Sequence, residues 1–417
     1  MERYVSLLGL LVMILLAWLM SAHKSRVNWR VVVMGLALQF AFALLILKAP
    51  GGQYVFQQLG EFFNRLLSFV DEGSMLMFGV NPSEADEGMP PRVVLLRTFA
   101  FGVLPTIIFF SSLMSVLYHI GLMQLVVGGL AWVMRRTLGT SGAETLSAAA
   151  NIFVGQTEAP LVIRPYVGTM TLSELMVVMV GGFATIAGGV FAIYVKFGID
   201  AGHLLTASVI SAPAALLIAK VMQPEVEEPE TAGVAPARME AASGNVLEAA
   251  AEGASAGMRL ALNVAAMLIA FVALVAMLNA LVGWVGGLAG FEGEAAWSMQ
   301  KAFGYAFAPL AWLMGIESKD CLPAGVMLGE KMVLNEFYAY LSLSDAIGAE
   351  KISERTATIL TYALCGFANF SSIGIQLGGI GGIAPERRGD LAKLALRAML
   401  GGTLAAFMTA CIAAALI

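Results

Sequence analysis

Gln156, Thr157 and Glu158 stand side by side in the stretch VGQTEAPLVIRPY, directly before the helix-breaking Ala159-Pro160. Further on, LNEFYAY sets Asn335 beside Glu336, and GFANFSSIGIQLGGIGG carries Asn369, Ser371 and Ser372. A glutamine side chain supplies two donors and an acceptor, a hydroxyl both donates and accepts, and an ionised carboxylate only accepts. Such a set suits a neutral, polyhydroxylated solute held by hydrogen bonds. It contains no cationic cluster to neutralise a phosphate or several carboxylates. No HExxH, no GxSxG and no Ser/His arrangement accompanies it, so no enzyme chemistry is expected.

The surroundings make these polar residues costly. The chain has 417 residues, 59% of them hydrophobic and only 13% charged, with a mean hydropathy of +0.82. Soluble chains average about 25% charged residues. Apolar runs that approach or reach the ~20 residues needed to span a bilayer lie at Tyr4–Met20, Val31–Leu47, Phe99–Leu117, Met258–Val282 and Ala395–Ile417. The expected class is an all-α integral membrane protein. A charge facing hydrocarbon costs ~2.5–3.5 kcal/mol or more, so Glu158 and Glu336 should face a wet cavity. The net charge of −5 leaves no footprint for nucleic acid. Cys321, Cys365 and Cys411 form no CxxC and read as packing residues, and His23, His119 and His203 lie too far apart in sequence to suggest a metal site.

Charge sets the expected topology. Met-Glu-Arg-Tyr at the start has no net positive charge, and Lys24, Arg26 and Arg30 follow the first apolar run. That order argues for an uncleaved first helix with its N-terminus outside. Residues 54–70 mix Phe62, Phe63 and Phe69 with Gln57, Glu61 and Arg65, as a helix lying in the interface would. Asn81–Pro91 reads as an acidic, Pro-rich outer loop. Two more crossings are expected near 172–197 and 204–222, and another near 356–382. The run Pro385-Glu-Arg-Arg-Gly-Asp390 falls inside. Eight crossings result, with both termini outside. Residues 223–255, with Glu225, Glu227, Glu228, Glu230 and Glu240 among Pro and Ala, read as an exposed cytoplasmic linker between two halves.

The halves echo each other. FAFGVLPTIIFF has its counterpart in YAFAPLAWLMGI. Each is followed by a stretch too polar to cross cleanly, Thr140–Tyr166 and Pro323–Leu343, and then by a helix with a small, polar interruption, GGFATIAGG and GFANFSSIGIQLGGIGG. Three crossings separate the two polar stretches, so they enter from opposite sides as re-entrant hairpins in an inverted repeat. Paired broken segments of this kind point to a transport site near the midplane. Glu158 and Glu336 then occupy matching turns. Asn151 brings an amide oxygen near the first tip. Carbonyls freed at Val154 and Ile186, with the Thr185 hydroxyl, would complete an oxygen cage for a monovalent cation. Other residues have plainer readings: Ser371 as helix packing, Glu330 and Lys331 as a pair at the rim, Asn335 as the cap of the second arm.

The motifs SAAANIFVGQTEAPLVIRPY, GGFATIAGGV, LNEFYAY, CGFANFSSIGIQLGGIGGIAPERRGD and VLPTIIFFSSLMSVLYHIG resemble those of the concentrative nucleoside transporters, in their bacterial eight-helix form. The resemblance covers essentially the whole chain. It implies a homotrimer in the inner membrane that imports nucleosides, with no cofactor beyond a coupling ion. Gln156, Thr157 and Glu158 would address the nucleobase, partly through water, with Val190 lining its pocket. Glu336, Asn369 and Ser372 would hold the ribose beside Phe367. Sodium would sit at Asn151, Val154, Thr185 and Ile186. Sodium-coupled relatives often carry serine where this chain has Thr185, and some bacterial relatives use protons, so proton coupling is the alternative. Uridine and other pyrimidine nucleosides are the expected cargo. The organisation expected is then 1–98 for N-terminal scaffold helices and the interfacial helix, 99–222 for the first repeat with its hairpin at 140–166, and 223–255 for the linker. A scaffold helix and outer loop follow over 256–298, and the second repeat, with its hairpin at 323–343, fills 299–417.

Overall fold

The computed structural model describes residues 2–78, 104–233, 244–288, 290–291 and 297–417, and every regular element in them is helical. Three N-terminal helices come first: α1 (Glu2–Leu19), α2 (Trp29–Leu47) and α3 (Pro50–Phe78). Next come α4 (Leu104–His119) and α5 (Leu122–Leu138), which meet at an angle of 76°. Gly121 makes that bend possible, with φ +85°. The start of the run expected at 99–117 and the loop expected at 81–91 lie outside the described residues.

The first polar stretch folds as two short helices, α6 (Gly142–Ala150) and α7 (Ala159–Val162), joined by turns. The crossing expected at 172–197 is divided into α8 (Leu172–Ala184) and α9 (Gly188–Lys196). Thr185 and Ala187 are extended there, with ψ of 166° and 146°. A capping box starts α8: the Thr171 hydroxyl accepts the Glu174 N–H, and the Glu174 carboxylate accepts the Thr171 N–H. α10 (Ala201–Met222) completes this half.

After α11 (Val246–Leu288), the pattern returns. α12 (Met299–Leu313) precedes a second pair, α13 (Cys321–Val333) and α14 (Glu336–Gly348). A second divided helix follows, α15 (Glu354–Leu364) and α16 (Phe370–Ile383), and then α17 (Arg388–Leu416). Asn335 caps α14, its side chain accepting the Tyr338 N–H at 2.9 Å. Among the described residues five stretches are long and apolar enough to cross a membrane, 2–19, 29–47, 172–196, 201–222 and 385–416, and the bent pair α4 and α5 makes a sixth if counted as one span.

The core lies where α8, α10 and α17 pack together. α10 is buried on every side from Ile210 to Met222, as a helix apolar all round must be. α4 and α11 instead pack chiefly along each other. Leu262, Ile269, Met277 and Leu281 of α11 point outward, which suits lipid. Cys321, Cys365 and Cys411 are buried and free.

The linker departs from expectation. It is not a solvated strap from Gln223 to Ser255, because α11 already begins at Val246 and the residues just after α10 are docked. Glu225 accepts from Lys220 Nζ at 3.1 Å and from the Thr171 hydroxyl at 3.0 Å. The buried Thr231 takes the Ala143 N–H on its hydroxyl and the Gly142 N–H on its carbonyl, at the base of α6. The acidic composition that looked solvated answers Lys220, which also pairs with Glu144 at 2.8 Å. Residues 234–243 lie outside the described residues. Glu225→Gln should therefore lower stability by about 1 kcal/mol, the loss of one half-wet charged contact. The melting temperature of the purified protein reads this; an unchanged value would restore the solvated linker.

Candidate functional site

The two hairpin pairs and the two divided helices converge. Gly366, in the gap between α15 and α16, has φ +115°. A Cβ there would come within 2.5 Å of the Phe183 carbonyl oxygen and 2.9 Å of that of Ala184. The two breaks therefore touch, backbone to backbone. Beside this contact, from Ala187 and Phe367 onward, opens a cavity of ≈ 690 Å³, counting its mouth.

Gln156, Thr157 and Glu158 border the cavity from one side, where the chain turns from α6 to α7. Glu336 borders it from the other, at the first position of α14. Val190 comes from α9, and Phe367, Asn369 and Ser372 from the second break and the start of α16. All eight residues singled out for a solute thus share one cavity. Leu260 and Val264 of α11 also line it, and among the described residues no lysine or arginine does.

The polar groups are held by one another. Glu336 Oε2 accepts from Asn369 Nδ2 at 2.9 Å, and Oε1 accepts from the Tyr194 hydroxyl at 3.1 Å. A carboxylate at the first turn of a helix gains from the N-terminal partial charge. Its two oxygens offer about four lone-pair directions, so capacity remains for further hydroxyl donors. Asn369 caps α16 by accepting the Ser372 N–H at 2.8 Å. Ser371 donates to the same Asn369 oxygen at 2.7 Å and faces the cavity, so its role is not helix packing. Gln156 Nε2 donates to the Ser372 hydroxyl at 3.2 Å, and Gln156 Oε1 accepts from Gln376 Nε2 at 3.1 Å. The Glu158 carboxylate accepts the Gly155 N–H, closing the turn beneath it.

Of the four residues expected to hold a cation, Asn151 and Thr185 both meet Gly181 of α8, and Val154 and Ile186 lie within two residues of a bond between the first hairpin turn and the break. The Gly188 N–H donates to the Phe153 carbonyl at 3.1 Å, tying the break to the hairpin turn. The Thr185 hydroxyl donates to the Gly181 carbonyl at 2.9 Å and keeps its lone pairs. Asn151 is fully buried, yet neither its Oδ1 nor its Nδ2 has a partner. Its amide lies against Gly181, whose added Cβ would stand 3.0 Å from Nδ2. Buried polar groups are rarely left unpaired. An oxygen-ligated cation fits this donor set. Among the described residues no cluster of His, Cys, Asp and Glu suits a transition metal.

The expected pair at the rim does not form. Lys331 is 1% exposed and turns away from Glu330. Its Nζ donates to the carbonyls of Ala363 at 2.9 Å and Cys365 at 3.2 Å. Sequence neighbours on a helix do not face each other, and that rule was enough to reject the pairing. Tyr194 and Gln376 were not singled out either. A tyrosine in an apolar run and a glutamine in a glycine-rich one carry no signal until the fold supplies their partners.

Three family models match the chain: Na+ dependent nucleoside transporter N-terminus over residues 8–81, Nucleoside recognition over 100–201, and Na+ dependent nucleoside transporter C-terminus over 203–414. Sodium/nucleoside cotransporter 1 of Sus scrofa is 44% identical over 426 residues, covering 99% of this chain. The chain spans only 64% of that protein's length. An uncharacterized transporter of Haemophilus influenzae is 46% identical over 412 residues, covering 98% of this chain and 96% of that one. The structure of CNTnw in an inward-facing substrate-bound state is similar at a TM-score of 0.91 and 41% identity, covering 100% of this chain and 98% of the other. A CNTnw variant in an outward-facing state is similar at a TM-score of 0.92 and 40% identity, with the same coverage.

Proposed function

This chain belongs to the Na+-dependent nucleoside transporter family, and we propose that it is a sodium-coupled symporter importing uridine and other pyrimidine nucleosides by alternating access. The observation that carries this reading is the cavity. It joins hydrogen-bonding side chains from both hairpin tips to an apolar side, and among the described residues no lysine or arginine lines it. A nucleoside matches that division. Its flat base lies against Val190 and Phe367 and is addressed by Gln156, Thr157 and Glu158. Its ribose hydroxyls donate to Glu336 and meet Asn369 and Ser372. Sodium is held by the Asn151 amide oxygen, the Thr185 hydroxyl and the carbonyls of Val154 and Ile186. The unpartnered Asn151 supports that site.

In this reading the chain makes eight crossings and two re-entrant hairpins, 140–166 and 323–343, in an inverted repeat. The hairpins and divided helices move against a scaffold that includes α4 and α11, and three copies assemble in the bacterial inner membrane. The mutual packing of α4 and α11 supports the division. The basic loops at Lys24–Arg30 and Arg387–Arg388 support cytoplasmic placement for those loops and periplasmic placement for both termini.

Uptake into proteoliposomes, with ion replacement and a panel of nucleosides, tests the proposal. A sodium gradient should drive uridine accumulation, and unlabelled uridine on the far side should accelerate labelled uptake. Uptake that ignores sodium and follows an imposed pH gradient would establish the proton-coupled alternative. Thr185→Ala removes one cation ligand. It should raise the sodium concentration for half-maximal transport several-fold, and change the maximal rate at saturating sodium much less. A fall in maximal rate alone would remove Thr185 from the ion site.

A further inference from the structure

The two divided helices are completed by unlike means. In each half, one polar side chain from the first arm of the helix pair or its end meets the first part of the following divided helix, Asn151 against Gly181 and Lys331 at the carbonyls of Ala363 and Cys365. Asn151 does so seven residues before Glu158, and Lys331 five residues before Glu336. Both are buried, at 0% and 1% exposure. Beyond that they differ. The Asn151 amide has no partner. The Lys331 ammonium donates at 2.9 and 3.2 Å to Ala363 and Cys365, the carbonyls at the end of α15.

Carbonyls at a helix C-terminus carry partial negative charge and lack intrahelical donors. Inside a membrane they need a donor or a cation. At the second break the chain provides one of its own. Among the described residues no carboxylate lies within ion-pair distance of Lys331, so the carbonyls are its direct partners, with Glu336 near enough to feel its charge. At the first break no lysine or arginine among the described residues pairs with Asn151, so on the sodium reading the positive charge comes from solution. An ammonium and a sodium ion carry the same charge, and both favour oxygen.

We infer that Lys331 is a tethered cation filling, in the second half, the place that the exchangeable cation takes in the first. This rests on the sodium reading above. Two consequences follow. The second break is permanently loaded, so Glu336 and Asn369 are in position whether or not sodium is present. And one sodium ion, not two, moves with each nucleoside.

The experiment measures labelled sodium and labelled uridine entering the same proteoliposomes. The unmutated protein should give about one sodium per uridine. Lys331→Asn, which copies the side chain of the first half, should open a second ion site. Its ratio should approach two and its sodium activation should become sigmoid. Its melting temperature should rise with sodium over a second concentration range that the parent lacks. Lys331→Met fills the space without charge and should bind uridine at least about tenfold more weakly at every sodium concentration, the scale of one charge-assisted hydrogen bond. A ratio of two in the unmutated protein overturns the inference. So does an asparagine variant with the parent's sodium curve, or a methionine variant with the parent's affinity. If neither variant reaches the membrane, the unmutated ratio decides alone. Uptake by the unmutated protein that needs no sodium instead overturns the sodium reading itself.

Discussion

Glu336→Gln is expected to weaken uridine binding roughly 10- to 150-fold. Hydrogen bonds to a charged group are worth ~1.5–3 kcal/mol net, at ~1.4 kcal/mol per tenfold in affinity. The carboxylate now accepts from Asn369 and Tyr194, with lone pairs to spare. The amide keeps the shape but turns one acceptor into a donor, which faces Asn369 or Tyr194 as a mismatch. A nucleoside lacking its 2′ and 3′ hydroxyls should lose affinity for the parent on a similar scale, and far less for the variant. Calorimetry with both ligands on both proteins closes a thermodynamic cycle. Strictly additive losses would mean that Glu336 steadies the hairpin and does not read the sugar. Tyr194→Phe should fall between parent and variant, since it removes one of the two donors that aim the carboxylate.

Gly366→Ala is expected to abolish transport, by more than 100-fold at normal surface levels, and to lower the melting temperature. A positive φ of this kind costs a non-glycine residue ~1–3 kcal/mol. The new Cβ would also press to 2.5 Å against the Phe183 carbonyl oxygen. Backbone of α8 cannot step aside without moving Thr185 and Ile186. The two breaks must part, and both proposed sites are distorted at once. A variant with near-normal uridine and sodium dependence would show that the contact between the breaks is incidental.

Much of the site was legible because the membrane makes polarity expensive. Gln156–Glu158 and Asn335–Glu336 stand out against an apolar background, and glycine with threonine or asparagine marks both breaks. The cavity collects both polar tips and the asparagine of the second break. What stayed hidden depends on pairing across distance. Tyr194 is 142 residues from Glu336, and Gln376 is 220 from Gln156. Helices α5 and α12 were hidden for another reason. Each flanks the first arm of a hairpin, and their mixed composition gives neither a clean crossing nor a clean loop. The docking of Glu225 and Thr231 was masked by composition: an acidic, proline-containing run looks solvated until Lys220 and the base of α6 are placed beside it.

The Gln156–Ser372 bond bears on the speed of a carrier. It ties a residue proposed for the base to one proposed for the sugar, and Gln376 and Asn369 extend the chain of bonds on either side. Cargo that engages these groups exchanges partners; it does not satisfy bare ones. The gain is then the modest net of a hydrogen-bond exchange, ~0.5–1.5 kcal/mol each. Unloading is quick for the same reason, because the site closes its own bonds as the nucleoside leaves. The vacant return stroke, which every symporter must make before its next turn, then carries most of this set across the barrier already paired, Gln376 Oε1 excepted.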